Sequence, residues 1–116
     1  MNLSGIKAWV APEPVDMRKG VDGLSQYVRH TLGHNPCAGE AFLFCNRDRT
    51  RIKVLLWDGT GVCLFAKRLE EREFRWPKIE NGVMRLSATQ FSVLIEGLDW
   101  RRVESARETP APTLTG

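Results

Sequence analysis

The sequence predicts a small α+β domain: an antiparallel sheet built around a β-hairpin, with one helix from each end of the chain packed on it. Three observations carry that expectation. Strand-like runs at 41–46, 51–57 and 62–69 surround the turn signal DGTG at 58–61. Apolar residues at helical spacing flank them, Val21, Leu24, Val28 and Leu32 before and Phe91, Leu94, Ile95 and Leu98 after. A length of 116 residues with 42% hydrophobic and 27% charged content describes one ordinary globular unit with a modest core.

The elements follow in order. Residues 6–11, IKAWVA, form a first apolar strand that stops at Pro12 and Pro14. Asp16 is placed to N-cap a helix running to about Leu32, which Gly33 and Pro36 close. Gly20 and Gly23 weaken its first turns by about 1 kcal/mol each relative to Ala. Strands at 41–46, 51–57 and 62–69 come next, and 73–76, EFRW, adds a short extended piece before Pro77. Ser87 and Gln90 have capping-box spacing at the head of the last helix. The domain is expected to span 1–102, and 103–116, small, polar and Pro-containing, to be a disordered tail.

Hairpin register decides what the sheet presents. A two-residue Gly59–Thr60 loop pairs Trp57 with Val62 and sets Ile52 and Val54 beside Lys67 and Phe65, mixing core with charge. A three-residue loop, with Gly61 left-handed, pairs Trp57 with Cys63 and gathers Ile52, Val54, Leu56, Leu64 and Ala66 on one face. The pattern favours the second register, because a slip of one residue turns the core set outward. The opposite face then holds Arg51, Lys53, Leu55, Trp57, Phe65 and Lys67, with Lys53 directly across from Lys67. Such a like-charge pair destabilises a hairpin unless an anion bridges it. Two readings of this face compete: a surface for phosphates and stacked bases, or aromatics covered by a helix with the lysines snorkelling to water.

Charge placement adds a second basic spot. Between Arg47 and Lys78 nine Lys/Arg stand against five Asp/Glu, whereas the whole chain carries only +3. Arg18 and Lys19 lie near the start of the first helix, where cations oppose the helix dipole and an anion would be welcome. The candidate nucleic-acid-binding residues are therefore Arg18, Lys19, Arg47, Arg51, Lys53, Trp57, Lys67, Arg68 and Arg75.

No catalytic set emerges. His30, His34, Cys37 and Cys45 match no common zinc spacing, because Gly33 and Pro36 break the helix between them. Asp16, Asp22, Asp58, Glu70 and Glu71 are the carboxylates a metal-dependent nuclease would draw on. Asp16 has a capping task, Asp58 a turn task, and the glutamates lie among Arg68, Arg72 and Arg75. No cofactor or metal is expected. With no apolar run near the roughly 18 residues of a membrane span, no signal-peptide pattern and an odd cysteine count of three, the expected compartment is the cytoplasm.

The blocks DMRKGVDGL (16–24), FLFCNRDRTRIKVLLWDGTGVCLFAKRLEEREFRWP (42–77) and LSATQFSVLIEGLDW (86–100) together resemble one family. It is the TnpB-type accessory protein of insertion sequences of the sixty-six family, distinct from the RNA-guided nuclease of the same label. The resemblance covers about residues 6–102. It runs through Asp16–Gly20, Asp22–Leu24, Asn46, Arg47, Arg51, Lys53, Trp57–Gly59, Lys67–Leu69, Phe74, Trp76 and Pro77. The chain departs at Phe65–Ala66, where the family commonly has Trp–Tyr, and at Cys45, where a basic residue is common. The resemblance implies a bacterial mobile-element protein that supports transposition, and carries no catalytic residues across. Two functions follow as expectations. One is a non-catalytic accessory factor that binds DNA through a basic sheet face. The other is an adaptor that contacts the transposase without DNA, using Trp57, Phe65, Phe74 and Trp76 as anchors.

Overall fold

A computed structural model of the chain describes residues 3–103. The predicted tail therefore lies almost wholly outside the described residues. Five strands form one sheet in the order β4-β3-β2-β1-β5. They are β1 (Ala8–Val10), β2 (Ala41–Cys45), β3 (Arg51–Trp57), β4 (Val62–Arg68) and β5 (Met84–Leu86). Helix α1 (Val21–Tyr27) continues through a wider π-type turn to Leu32, and α2 spans Ala88–Ile95.

The α+β class is as the sequence predicts, but the sheet is mixed rather than antiparallel. β1 runs parallel to β2, with Ala8 opposite Ala41 and Val10 opposite Leu43. The cause is the helical segment between them, which carries the chain across the sheet and returns it in the same direction. β5 then adds antiparallel to the free edge of β1, pairing Ala8 with Leu86. Three residues give too short a period for sequence to mark this strand. The 73–76 segment joins no strand, yet it is anchored: Phe74 and Trp76 are buried, Phe74 N–H donates to Arg49 O at 2.7 Å, and Trp76 Nε1 donates to Ala11 O at 3.0 Å.

Asp16 does not cap α1. Its carboxylate accepts from Arg18 N–H at 2.9 Å and from the Arg18 guanidinium at 2.7 Å. A short Asp side chain bonds locally before the helix can begin, so α1 starts after Gly20 with no side-chain cap. The helical segment ends where predicted. Gly33 takes φ 70° and His34 N–H donates back to Val28 O, which only a residue without Cβ accommodates cheaply. At α2 both capping-box bonds form, Gln90 N–H to Ser87 Oγ at 3.1 Å and Ser87 N–H to Gln90 Oε1 at 3.0 Å.

The sheet is the middle of three layers. On one face Val10, Leu43, Val54 and Leu56 pack with Phe74, Trp76, Phe91, Leu94 and Trp100, beneath α2. On the other, Phe42, Phe44 and Leu55 pack with Leu24 of α1 and Val28 of the π-type turn that follows it, with Val62 and Leu64 at the margin. Both faces of the hairpin thus need apolar side chains, and this overturns the expected register. The observed register is the two-residue-loop one: Trp57 pairs with Val62, Leu55 with Leu64, Val54 with Phe65, Lys53 with Ala66 and Ile52 with Lys67. Asp58 holds the turn by accepting Thr60 N–H and Gly61 N–H through Oδ1, each at 2.9 Å. The left-handed glycine is Gly59, at φ 105°, rather than Gly61. Leu98, expected on the α2 stripe, is 48% exposed because the helix stops at Ile95.

Candidate nucleic-acid interface

Lys53 and Lys67 do not face each other. One residue of register separates them onto opposite faces of the sheet, and each ammonium has a structural task. Lys53 Nζ donates to Met17 O at 2.6 Å and Lys19 O at 2.8 Å, tying the segment before α1 to the sheet. Lys67 Nζ donates to Ile95 O at 2.9 Å and lies 3.8 Å from Glu96, a cation placed at the C-terminal end of α2. Helix cover holds for Leu55, which is buried on the α1 side, whereas Trp57 and Phe65 are half-buried on opposite faces and the lysines bond carbonyls rather than snorkelling to water. The like-charge pair exists, but its members are Arg51 and Arg68.

Arg51 opposes Arg68 at the last pairing position of the β3–β4 ladder. Asp58–Gly61 and Thr50–Leu69 are hydrogen-bonded pairs. By alternation Arg51–Arg68 is a non-hydrogen-bonded pair, the type that brings side chains closest. Both are exposed. Arg68 pairs with Glu70 at 3.0 Å, an exposed bridge worth little. Arg51 has no ion pair among the described residues. The two arginines form the shared wall of adjoining grooves of about 310 and 610 Å³. Met17 and Lys53 line the first, and Met17, Asn46 and Asp48 the second.

The β2–β3 turn is built by Asn46, whose Oδ1 accepts the N–H groups of Thr50 and Arg51, each at 3.0 Å. Within this turn Arg49 takes φ 61°, the one described residue with a side chain in the left-handed region. On the α2 side of the same sheet end, Arg49, Arg72, Arg75 and Arg101 line a separate cleft of about 350 Å³, floored by Phe74 and Trp76. Of these four, the sequence marks only Arg75. Arg49, Arg72 and Arg101 come from three distant segments, and nothing local in the sequence says they meet.

The remaining candidates are scattered around this end. Arg18 is exposed and tied to Asp16, whose carboxyl that guanidinium holds down at about 2. Lys19 and Arg47 are exposed, and Lys19 offers its carbonyl to Lys53. Arg18 and Lys19 sit in the turn before α1 rather than on the helix, so the expected dipole argument does not apply to them. Trp57 is half-buried at the far end of the hairpin from Arg51, which removes it from this surface. The proposed adaptor anchors do not form a patch either: Phe74 and Trp76 are core residues, and Trp57 and Phe65 lie on opposite faces.

His34 packs its ring on Trp9 at 4.7 Å, while Cys45 is buried beneath α2, its thiol pushed up to about 12 by burial. Among the described residues no three His, Cys, Asp or Glu side chains are grouped to share a metal ion. Nor is any described helix long and apolar enough to cross a membrane.

Comparison with known proteins agrees with the resemblance. The family described as IS66 Orf2 like protein matches residues 6–105. Two relatives come from Sinorhizobium fredii. The uncharacterized protein y4hO is 40% identical over 111 residues, covering 96% of this chain and 94% of the relative. The uncharacterized protein y4jC is 38% identical over 100 residues, 86% of each chain. No solved structure matches the chain. The chain belongs to the IS66 Orf2-like family, a group of insertion-sequence accessory proteins.

Proposed function

We propose that the chain is a non-catalytic accessory protein that supports transposition by holding the DNA backbone in the groove walled by Arg51 and Arg68. The observation that carries this reading is the cross-strand arginine pair. Like charges directly opposite one another destabilise a ladder. A phosphate between them converts repulsion into two charge-assisted, bidentate contacts. Arg47, Lys19 and Arg18 extend the positive rim for neighbouring phosphates, and the exposed positions favour backbone contacts over base readout. The carboxylates support a role without catalysis. Asp16 is engaged by Arg18, Asp58 by the hairpin turn and Glu70 by Arg68, and among the described residues no three His, Cys, Asp or Glu side chains group to hold a metal ion. The DNA is the element's own, and the transposase encoded beside the protein is the second partner.

The test is fluorescence anisotropy with labelled element-end and scrambled duplexes across a salt series. Log affinity is expected to fall linearly with log salt. The exposed double variant Arg51→Ala/Arg68→Ala should weaken binding at least about tenfold and flatten the salt slope by about two, one per lost phosphate contact. A double variant that binds like the parent overturns this reading. Retention of the transposase without DNA, at salt that screens phosphate contacts, would favour the adaptor role instead.

A further inference from the structure

The groove accounts for only part of the positive charge at this end of the sheet. The cleft on the α2 side shares no lining residue with it. Four guanidinium-bearing residues, Arg49, Arg72, Arg75 and Arg101, surround a space of about 350 Å³ in which Glu73 is the single acid. Arg49, Arg72 and Arg75 make no ion pair with any described residue, and Arg101 lies 3.8 Å from Asp99.

Hydrogen bonds tie the backbone of Arg49 and Arg75 and the guanidinium of Arg101 to buried aromatic residues. Phe74 N–H binds Arg49 O at 2.7 Å, Trp100 Nε1 binds Arg75 O at 2.5 Å, and the Arg101 guanidinium reaches Trp76 O at 3.4 Å. Arg75 is flanked by the buried Phe74 and Trp76, so the extended segment turns it outward. Arg49 and Arg75 project from backbone hydrogen-bonded to buried aromatic residues, so their side chains start from defined positions around the cleft. Arg49 holds a backbone conformation that favours glycine, and strain of this kind collects where a side chain is needed.

We propose that this cleft is a second phosphate-backbone site, so that one molecule holds two DNA segments, one on each side of the sheet end. The ligand class follows from the lining. The apolar floor is core, which leaves no exposed ring for a base or an apolar head group, while guanidinium forks match successive phosphate oxygens. The turn 46–50 serves both sites, since Arg51 on one side of it walls the groove and Arg49 lines the cleft. The inference rests on the protein being a DNA-binding one, and the following experiment separates the two claims.

Donor-labelled and acceptor-labelled short duplexes are mixed with the full chain. Energy transfer reports bridging, and anisotropy of either duplex alone reports simple binding. The parent is expected to give both signals. Arg72→Ala/Arg75→Ala should reduce energy transfer to background and weaken single-duplex binding less than Arg51→Ala/Arg68→Ala does, since the groove is untouched. Arg51→Ala/Arg68→Ala should also abolish transfer. Arg72→Lys/Arg75→Lys should restore part of it, which a folding defect would not. Parent protein that binds one duplex but never bridges overturns the two-segment proposal and leaves the groove reading standing. Transfer that persists in Arg72→Ala/Arg75→Ala overturns it too, pointing to bridging by association of copies through the groove alone. Absence of anisotropy binding by the parent removes the DNA reading, and this proposal with it.

Discussion

Arg49 occupies a left-handed conformation, φ 61°, that costs a residue with a Cβ about 1–2 kcal/mol. Glycine would remove that cost, offset by its own larger entropy in the unfolded chain, about 0.5–1 kcal/mol. The variant Arg49→Gly is therefore expected to be as stable as the parent or up to about 1.5 kcal/mol more stable in urea unfolding, while binding duplex more weakly. A loss of stability beyond 1 kcal/mol would mean that the Arg49 side chain holds the fold rather than a ligand. The lysines show the reverse case. Lys53 and Lys67 read as binding residues because period-2 alternation places them beside aromatics. Their ammonium groups instead satisfy carbonyls of Met17, Lys19 and Ile95. No local pattern reveals this, since the partners are 36, 34 and 28 residues away along the chain.

Among the elements, the hairpin is where turn chemistry outweighed face patterning. Asp58 accepts Thr60 N–H, Gly61 N–H, the Cys63 thiol and the Thr60 hydroxyl, and its carboxyl is held down from 3.8 to about 2. Because the folded carboxyl is the stronger acid, its stabilising contribution is complete above about pH 4. It fades as pH falls toward 2, where the unfolded chain takes up its proton first. Asp58→Asn should accordingly flatten the part of the stability–pH curve between those values, measured by urea midpoints. An unchanged acid limb would show that the turn bonds do not depend on charge. The strands 51–57 and 62–68 and the capping box of α2 were legible because their determinants are local: alternation, a DGTG turn, and a Ser–Gln pair three residues apart. β5 and the buried Phe74–Trp76 segment were not, for they are stabilised by what they meet across the fold.

For the molecule as a whole, the central strand β2 is covered on both faces, with all five of its residues buried. Cys45 at its end is inaccessible except through opening of the sheet. Native protein at pH 8 should therefore alkylate slowly at Cys45, whose thiol is also pushed up to about 12, with a rate that tracks global unfolding as urea is added. Fast labelling of Cys45 in native protein, read by peptide mass, would contradict the three-layer packing. The same layering explains where charge can go. Among the described residues no polar or charged residue is buried, so the arginines collect at the strand ends and the loops joining them.

By itself the sequence determined the α+β class, strands β1 to β4, the two helical segments, the capping box of α2 and the family. These follow from spacing along the chain and from ordered blocks of residues. Tertiary structure alone decided the parallel pairing of β1 with β2, the hairpin register, and which cations are free. A sheet covered on one side admits one register, and face patterning by itself assumes that case. Cover on both sides makes apolar residues useful on either face, so the register passed to the Asp58 turn and to packing beneath α1 and α2. With it, the opposed charges passed from Lys53 and Lys67 to Arg51 and Arg68.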